Sequence, residues 1–362
     1  MEITVYFTGG ACKGIFTATD TVSFKFCDIY ELNNKQELLN NEIIFVEQIV
    51  KTKVIDILNI LKKFKKNRFF YMKECFELYP FHKELMNHID HVFSKYIESD
   101  CNKWIWVPEP HYLIDKYDEN MKYDFMEYEI SDKVHMICND PLKCVWSCKI
   151  NILKSIKSQF ENSDDVHIYG SNKSLSWRFG DSFKGIMGGK GTSSGYYNVK
   201  SHAKSQIMKN YKFVIVTTNR YFYGHFSEKF IDSLCCLSVP VYFGSYSSNI
   251  LFPKLFNNGV INAFDFDTIQ DLTTYLKNMS NDQYNKRIEN IKKYRHEAIK
   301  YTTICQIYEY IKHKTLNIMN HPCEITNNYV NETNIKLEGL YCDNKTLCDE
   351  HNNNFKMDLN VN

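Results

Sequence analysis

Along the N-terminal part of the chain, segments with the apolar spacing of a strand alternate with segments that have the apolar spacing of a helix. Residues 3–7 are β-branched or aromatic and stop at Thr8-Gly9-Gly10, which predicts a first strand and a turn. From Ile43 to Phe64 a short apolar run is followed by apolar residues at helical spacing, which predicts a strand and then a helix. This order of elements is typical of an α/β domain.

The same order continues towards residue 110. Residues 76–96 have helical periodicity, and residues 104–107 (Trp-Ile-Trp-Val) predict a strand that ends at Pro108-Glu109-Pro110. Open α/β sheets bind their ligands at the carboxyl ends of strands. Glu109 is therefore a candidate site residue.

A second series of strands and helices is predicted from about residue 134. Short apolar runs predict strands at 134–138, 166–169, 213–216, 239–244 and 260–263, and helical spacing predicts helices at 145–156, 227–237 and 281–313. We expect an N-terminal α/β domain at 1–135 and a Rossmann-like domain at 136–320. Residues 321–362 are rich in Asn, Thr and Asp, which predicts a weakly ordered tail.

Composition excludes several classes of protein. With 362 residues, 44% of them hydrophobic, the chain can bury two cores, and two domains imply a cleft. The 44 basic and 43 acidic residues give a net charge of +1, which supplies no long-range field for nucleic acid. We expect no nucleic-acid partner.

The expected compartment follows from the N-terminal sequence and the cysteines. The first ten residues lack a basic region followed by an apolar one, and no stretch approaches the roughly 18 apolar residues of a membrane span. The thirteen cysteines are scattered and suit reduced thiols better than a disulfide framework. These features predict a soluble cytoplasmic protein without a membrane anchor.

Two other motifs predict ordinary structure. The glycine-rich residues 180–195 lack the strand and the Lys-Ser or Lys-Thr pair of a phosphate-binding P-loop, so we interpret them as a surface loop. His82, His88 and His91 have no Cys or carboxylate partner at a recognised metal spacing. We expect no essential metal.

The richest local pattern lies between Tyr211 and Ser245. A strand leads through an aromatic loop to Ser227, a good helix N-cap, and Glu228 in the first turn suits the helix dipole. Backbone N–H groups at this helix start, with the ammonium group of Lys229, could equally bind a diphosphate. A capped structural helix and a diphosphate site both remain open on these residues.

The same stretch resembles the signature of the α-1,3/4-fucosyltransferase family. That signature has a Tyr-Lys-Phe strand running to Glu-Asn-Ser, an aromatic loop, Thr-Glu-Lys and a Val-Pro-Val-Tyr-x-Gly strand. Four blocks fall at matching spacings, namely Tyr211-Lys212-Phe213, Asn219, Ser227-Glu228-Lys229 and Val239-Pro240-Val241-Tyr242-Phe243-Gly244. Residues 104–110 similarly resemble the family's Trp-x-Trp strand and Glu-Ser-Pro turn, and residues 123–128 resemble its Phe-x-Trp-x-x-x-Tyr segment.

The resemblance implies a fold, an activity and substrates. The implied fold is α/β, with two Rossmann-like domains facing a cleft, as in glycosyltransferases of the GT-B type. The implied activity is transfer of fucose from GDP-fucose to a hydroxyl of a glycan acceptor, with inversion and with neither a metal nor another cofactor.

The resemblance also implies roles for individual residues. Glu109 would be the catalytic base, Glu228 would stabilise positive charge on the sugar, and Lys229 would neutralise the departing diphosphate. Four further candidates for donor binding are Asn219, Lys143, Tyr242 and His225. For Tyr242, packing in the core of a strand is an equal alternative.

Three positions depart from the family pattern. Thr218 and Arg220 stand where the family has Glu and Ser, and Lys143, or Lys149 on another alignment, stands where related enzymes carry an Arg. Lysine cannot offer the bidentate fork of arginine. A glycosyltransferase using another nucleotide sugar and a non-catalytic binding module of the same fold therefore remain alternatives. No motif in residues 1–100 identifies the acceptor.

Overall fold

A computed structural model describes residues 1–9, 12–47, 53–72, 82–95, 103–107, 135–139, 147–170, 176–186, 207–218, 227–244 and 252–320. Within these residues, contacts divide the chain into two compact units. The first contains residues 1–107 and 304–320, and the second contains residues 135–303. No helix in the described ranges is long and apolar enough to cross a membrane.

The first unit is built on six parallel strands in the order β2-β1-β3-β4-β5-β6. The strands are β1 (Glu2–Phe7), β2 (Ser23–Asp28), β3 (Glu42–Glu47), β4 (Arg68–Met72), β5 (His91–Ser94) and β6 (Trp104–Trp106). The helices between them are α1 (Cys12–Ile15), α2 (Val54–Leu61) and α3 (His82–Met86). A 3₁₀ helix at Ile29–Asn34 follows β2.

The central strands of this sheet are apolar because both of their faces are covered. Residues 43–46 of β3 are completely buried, as parallel strands require. Continuous helical periodicity across residues 76–96 is therefore a wrong prediction in part, since His91–Ser94 forms β5 between β4 and β6. Three of its four residues are buried, and a short buried strand resembles a buried helical segment in sequence.

The second unit is also a parallel sheet, in the order β12-β11-β10-β7-β8-β9. Its strands are β7 (His135–Asn139), β8 (Val166–Gly170), β9 (Phe183–Ile186), β10 (Tyr211–Thr217), β11 (Val239–Phe243) and β12 (Ile261–Asn262). Its helices are α4 (Ser147–Ser158), α5 (Ser176–Phe179), α6 (Glu228–Cys235), α7 (Pro253–Asn258), α8 (Ile269–Asn278) and α9 (Asn281–Thr302). The predicted βα order of this region is confirmed.

The helix predicted at 281–313 is divided at Thr303, which has an extended backbone between α9 and α10 (Ile304–Asn320). The hydroxyl of Thr302 donates to the carbonyls of Ala298 and Ile299, and that of Thr303 donates to Lys300 O. Such side-chain hydrogen bonds compete with the helical backbone pattern. The single long helix is therefore a wrong prediction.

Helix α10 packs on the first unit, although the sequence places it with the second domain at 136–320. Ile307 and Ile311 are fully buried in the same apolar cluster as Cys12 and Ile15 of α1. The predicted boundary at 135–136 adjoins residues 108–134, and both these residues and the predicted tail lie outside the described ranges.

Candidate functional site

Three neighbouring strands of the second unit end at one edge of its sheet. Asn139 is the last residue of β7, Thr217 of β10 and Phe243 of β11. Thr217 pairs with Phe243, and the backbone N–H of Thr218 donates to Phe243 O at 3.1 Å. The carboxyl ends of parallel strands are where open α/β sheets place their ligand sites.

Lys149 of α4 reaches this edge. Its side chain is buried, and Nζ donates to the carbonyl oxygen of Thr217 at 3.3 Å. A buried ammonium group loses hydration, so it requires polar or anionic partners at its new position. Of the two lysines that the sequence aligns with the family's arginine, Lys149 is therefore at the carboxyl edge, and Lys143 lies outside the described residues.

Helix α6 begins at the same edge, after β10. Ser227 is its N-cap, with an extended backbone, and its Oγ accepts the backbone N–H of Lys229 at 3.1 Å. This confirms the predicted cap. The cap holds the helix start, and with it Glu228 and Lys229, in a fixed position.

Glu228 and Lys229 form a close pair. Glu228 Oε1 lies 3.5 Å from Lys229 Nζ, and Glu228 Oε2 accepts a hydrogen bond from Ser227 Oγ at 3.2 Å. The carboxylate side chain is 26% exposed and the lysine side chain 11%. A partly exposed carboxylate thus lies beside a largely buried ammonium group, and this arrangement allows both charges to contact a polar ligand.

Tyr242 lies in the core of the second unit. Its side chain is 1% exposed, and its ring centroid lies 5.4 Å from that of Phe230 and 5.5 Å from that of Phe256. A Cβ on Gly244 would come within 2.3 Å of the Tyr242 hydroxyl oxygen, so the glycine leaves space for this ring. Packing is its visible role, and donor binding by Tyr242 stays a prediction.

Four predicted site residues lie outside the described residues, namely Glu109, Asn219, Lys143 and His225. Arg220, one of the departures from the family pattern, lies outside them as well. Of the predicted set, the structure brings Glu228 and Lys229 together at the edge that Lys149 also reaches. In the described part of the chain, no three His, Cys, Asp or Glu side chains are grouped to hold a metal ion.

Asn139 was not predicted from the sequence. Its amide donates to Tyr169 O at 2.9 Å and accepts from Tyr169 N at 2.7 Å, which fixes β7 to β8 beside the site. The sequence signal that could have indicated it is a polar residue directly after the apolar run Met-Ile-Cys.

A second polar cluster, also not predicted, joins the first residues of β7 and β10 to side chains of β8. His167 Nδ1 and Tyr169 Oη are each 2.7 Å from Tyr211 Oη, and the His135 and His167 ring centroids are 4.7 Å apart. Burial lowers the pKa of His167, the nearby His135 and Lys184 lower it further, and Asp164 raises it. We call His135, His167, Tyr169 and Tyr211 the amino-end cluster.

A comparison with known families finds a match to most of the second unit. The family model "Glycosyltransferase family 10 (fucosyltransferase) C-term" matches residues 151–324, a range that includes Glu228 and Lys229. Residues 151–324 are thus similar to the C-terminal part of family 10 glycosyltransferases. The predicted resemblance to fucosyltransferases is thereby confirmed.

Individual relatives agree with this similarity. An alpha-(1,3)-fucosyltransferase, FucT, of Helicobacter pylori is 35% identical over 82 residues, which are 22% of this chain. The match spans 16% of the length of that relative. These names support the prediction of a glycosyltransferase.

Solved structures agree on the fold. A crystal structure of alpha1,3-fucosyltransferase has a TM-score of 0.51 at 14% identity, over 90% of this chain and 92% of the other. The structure of alpha1,3-fucosyltransferase with GDP has a TM-score of 0.52 at 14% identity, over 90% and 93%. The predicted pair of parallel-sheet α/β domains is confirmed.

Proposed function

We propose that this protein is an inverting fucosyltransferase that transfers fucose from GDP-fucose to a hydroxyl of a glycan acceptor. The observation that carries the proposal is the capped start of α6, which lies inside the region similar to family 10 and presents a buried lysine beside a partly exposed glutamate. The GDP complex of the similar fucosyltransferase structure supports the choice of nucleotide.

Lys149 and Lys229 would bind the diphosphate. Both ammonium groups are largely removed from water, where a charge-assisted hydrogen bond to phosphate is stronger than in solvent. The start of α6 adds backbone N–H groups and the positive end of the helix dipole. Together these groups would stabilise the negative charge that develops on GDP as it leaves.

Glu228 would stabilise the opposite charge. As the bond to the leaving diphosphate breaks, the sugar ring acquires oxocarbenium-like positive charge, which a nearby carboxylate stabilises. Ser227 Oγ donates to one oxygen of Glu228 and the ammonium group of Lys229 lies near the other, so the carboxylate is held in position before the substrate binds.

An inverting transfer also needs a base for the acceptor hydroxyl. That base would accept the proton as the hydroxyl oxygen attacks the anomeric carbon from the face opposite the diphosphate. Glu109 remains our proposal for this role, from its place in the Trp-x-Trp and Pro-Glu-Pro segment.

Nucleotide binding and turnover, measured on the same preparation, test the proposal. GDP at a hundred times its dissociation constant should stabilise the protein by about 2.7 kcal/mol in thermal unfolding, and UDP should stabilise it much less. GDP-fucose should be consumed when a panel of glycans is supplied. Equal stabilisation by UDP, or no effect of GDP, contradicts the proposal.

The variant Glu228→Gln separates catalysis from binding. It should retain GDP affinity, because the amide keeps the size of the side chain, and lose most of its transferase activity. If Glu228→Gln and Glu109→Gln both leave the activity of the protein in cells unchanged, the protein is a non-catalytic module that binds a glycan or a nucleotide.

Thr218 favours a second candidate, a glycosyltransferase with another donor sugar. This position carries Glu in the fucosyltransferase signature, whereas here a neutral, buried side chain adjoins the strand edge. The loss of a carboxylate changes which sugar hydroxyls can be bound. Product analysis with a panel of GDP- and UDP-sugars decides between the two, and exclusive use of GDP-fucose eliminates this candidate.

A further inference from the structure

Helices α7 and α9 line a surface groove of about 640 Å³ in the second unit. Its lining contains four lysines, three asparagines, one tyrosine and one glutamate, and so has a net charge of +3. All of these residues belong to the two helices, and none belongs to the strand edge that holds Lys149 and Lys229. The charge stands out because the whole chain has a net charge of +1.

The walls of the groove are tied to each other. Asn290 Nδ2 of α9 donates to Lys254 O of α7 at 3.2 Å, and Lys254 Nζ lies 2.9 Å from Glu297 Oε1. At the end of α7, a Cβ on Gly259 would lie 2.8 Å from Leu255 O and 3.1 Å from Ile291 Cγ1, so the glycine allows close packing. These contacts make the groove a preformed concave surface.

Two lysine ammonium groups lie close to the ring of Tyr294 in the groove. The ammonium groups of Lys254 and Lys293 lie 5.3 Å and 5.1 Å from the centroid of its ring, within the range of cation–π attraction. Lys254 and Lys292 are also paired with the carboxylates of Glu297 and Glu289. Lys286 and Lys293 are exposed and complete the positive surface.

We propose that this groove binds an acidic oligosaccharide. The exposed side-chain amides of Asn257 and Asn258 offer both donors and acceptors, which suit sugar hydroxyls. The lysines suit a sulfate, phosphate or carboxylate substituent on the sugar. A volume of about 640 Å³ lies within the range of small-ligand sites, roughly 300–1,000 Å³.

Shape and charge favour a sugar over other anionic ligands. A membrane surface would contact a convex or flat basic face, whereas these residues line a concavity. Nucleic acid needs many phosphate contacts, and this groove has only four lysines, two of them paired with carboxylates. A short acidic glycan satisfies the amides and the cations together. Occupation of this groove would hold a glycan on the protein independently of the donor site.

Binding is measured on the full chain by calorimetry without any nucleotide, so the outcome does not depend on the proposed transferase activity. The probes are a sulfated hexasaccharide, its unsulfated counterpart and inorganic sulfate. We expect the sulfated sugar to bind at least tenfold more tightly than either of the others, with an affinity that falls as salt concentration rises.

The double variant Lys286→Gln/Lys293→Gln tests whether the sulfated sugar binds in this groove. It should weaken binding of the sulfated sugar about tenfold, since each exposed charge contributes a modest share. The matched control Lys53→Gln/Lys154→Gln removes two exposed lysines from other helix segments and should bind as the unmodified protein does. Thermal unfolding of both variants checks that they are folded.

Four results would overturn the proposal. Equal binding of the unsulfated sugar would exclude an acidic ligand, and equal binding of inorganic sulfate would reduce the groove to a simple anion site. Equal weakening by the control variant would show a general charge effect. A nucleic acid of the same charge that competes with the sulfated sugar at lower concentration would identify a different class of ligand.

Discussion

The two ends of the second sheet contain opposite kinds of polar chemistry. At the amino end, imidazole and phenol rings hydrogen-bond to one another, since Tyr211 Oη lies 2.7 Å from both His167 Nδ1 and Tyr169 Oη. At the carboxyl end, charged side chains lie near helix starts and strand ends. The ammonium group of Lys149 donates to a backbone carbonyl, and that of Lys229 lies beside the Glu228 carboxylate. The same six strands support both arrangements.

This difference separates stability from function. The buried hydrogen bonds of the amino-end cluster contribute to folding, and their loss leaves buried groups unsatisfied. Buried charges are expensive to desolvate, so apolar replacements of similar volume often preserve stability. We therefore expect changes at the carboxyl end to affect ligands and changes at the amino end to affect unfolding.

The largest expected effect is that of Lys229→Met. Removal of the ammonium group at the start of α6 should lower kcat/KM for GDP-fucose by about a hundredfold, as loss of one preorganised electrostatic contact does. Lys229→Arg keeps the charge and should retain more activity. Steady-state kinetics measure both, and equal loss in the two variants would argue for a packing role.

Lys149→Met should weaken GDP binding by about tenfold, the effect of one charge-assisted hydrogen bond. Its free energy of unfolding should stay within about 1 kcal/mol of the original, because methionine fills a similar volume. Calorimetry and urea denaturation measure the two quantities. The matched control is Lys154→Met, an exposed lysine of the same helix, which should change neither. A stability loss without an affinity loss would contradict the comparison.

Tyr211→Phe should have the reverse effect. Without its hydroxyl group, His167 and Tyr169 each lose a buried partner, so the free energy of unfolding should fall by about 1–3 kcal/mol. Urea denaturation measures this, and the GDP dissociation constant should not change. Tyr30→Phe, at a tyrosine 36% exposed, is the control and should preserve stability. A large loss of GDP affinity in Tyr211→Phe would show that the two ends are coupled.

The smallest expected effect is a pH dependence at the amino end. Because the folded state lowers the pKa of His167 below its ordinary 6.5, mainly through burial, the unfolded chain binds more protons at mildly acidic pH. This contribution is fully present above pH 6.5 and decreases as the pH falls below it. His167→Asn should flatten the slope of unfolding free energy between pH 7 and 5, whereas the exposed His313→Asn should not. Equal slopes in all three proteins would contradict this origin.

The sequence predicted the second unit better than the first for a physical reason. Its strands are short β-branched runs between clear turn and cap signals, and Ser227 confirms the strongest of these. In the first unit, His91–Ser94 lies in a segment whose apolar spacing also fits a helix, so its pairing with β4 and β6 could not be predicted locally.

Only part of the candidate site was readable from sequence. Glu228 and Lys229 are adjacent in sequence, next to a cap, so local rules place them. Lys149 reaches Thr217 from 68 residues away, a contact that depends on sheet order. The amino-end cluster likewise joins three strands, β7, β8 and β10, and its members look like ordinary strand aromatics in the sequence.

Helix α10 gives the chain an unusual order of assembly. The first unit begins before the second in the sequence, yet its core includes Ile307 and Ile311, which follow the second unit. Domains generally fold as units during synthesis, from the N-terminus onward. Here the second unit can fold on the ribosome before the first is complete. A chain ending near residue 303 would lack Ile307 and Ile311 and leave Cys12 and Ile15 of α1 without these apolar contacts, so the core of the first unit is complete only after α10 has been synthesised.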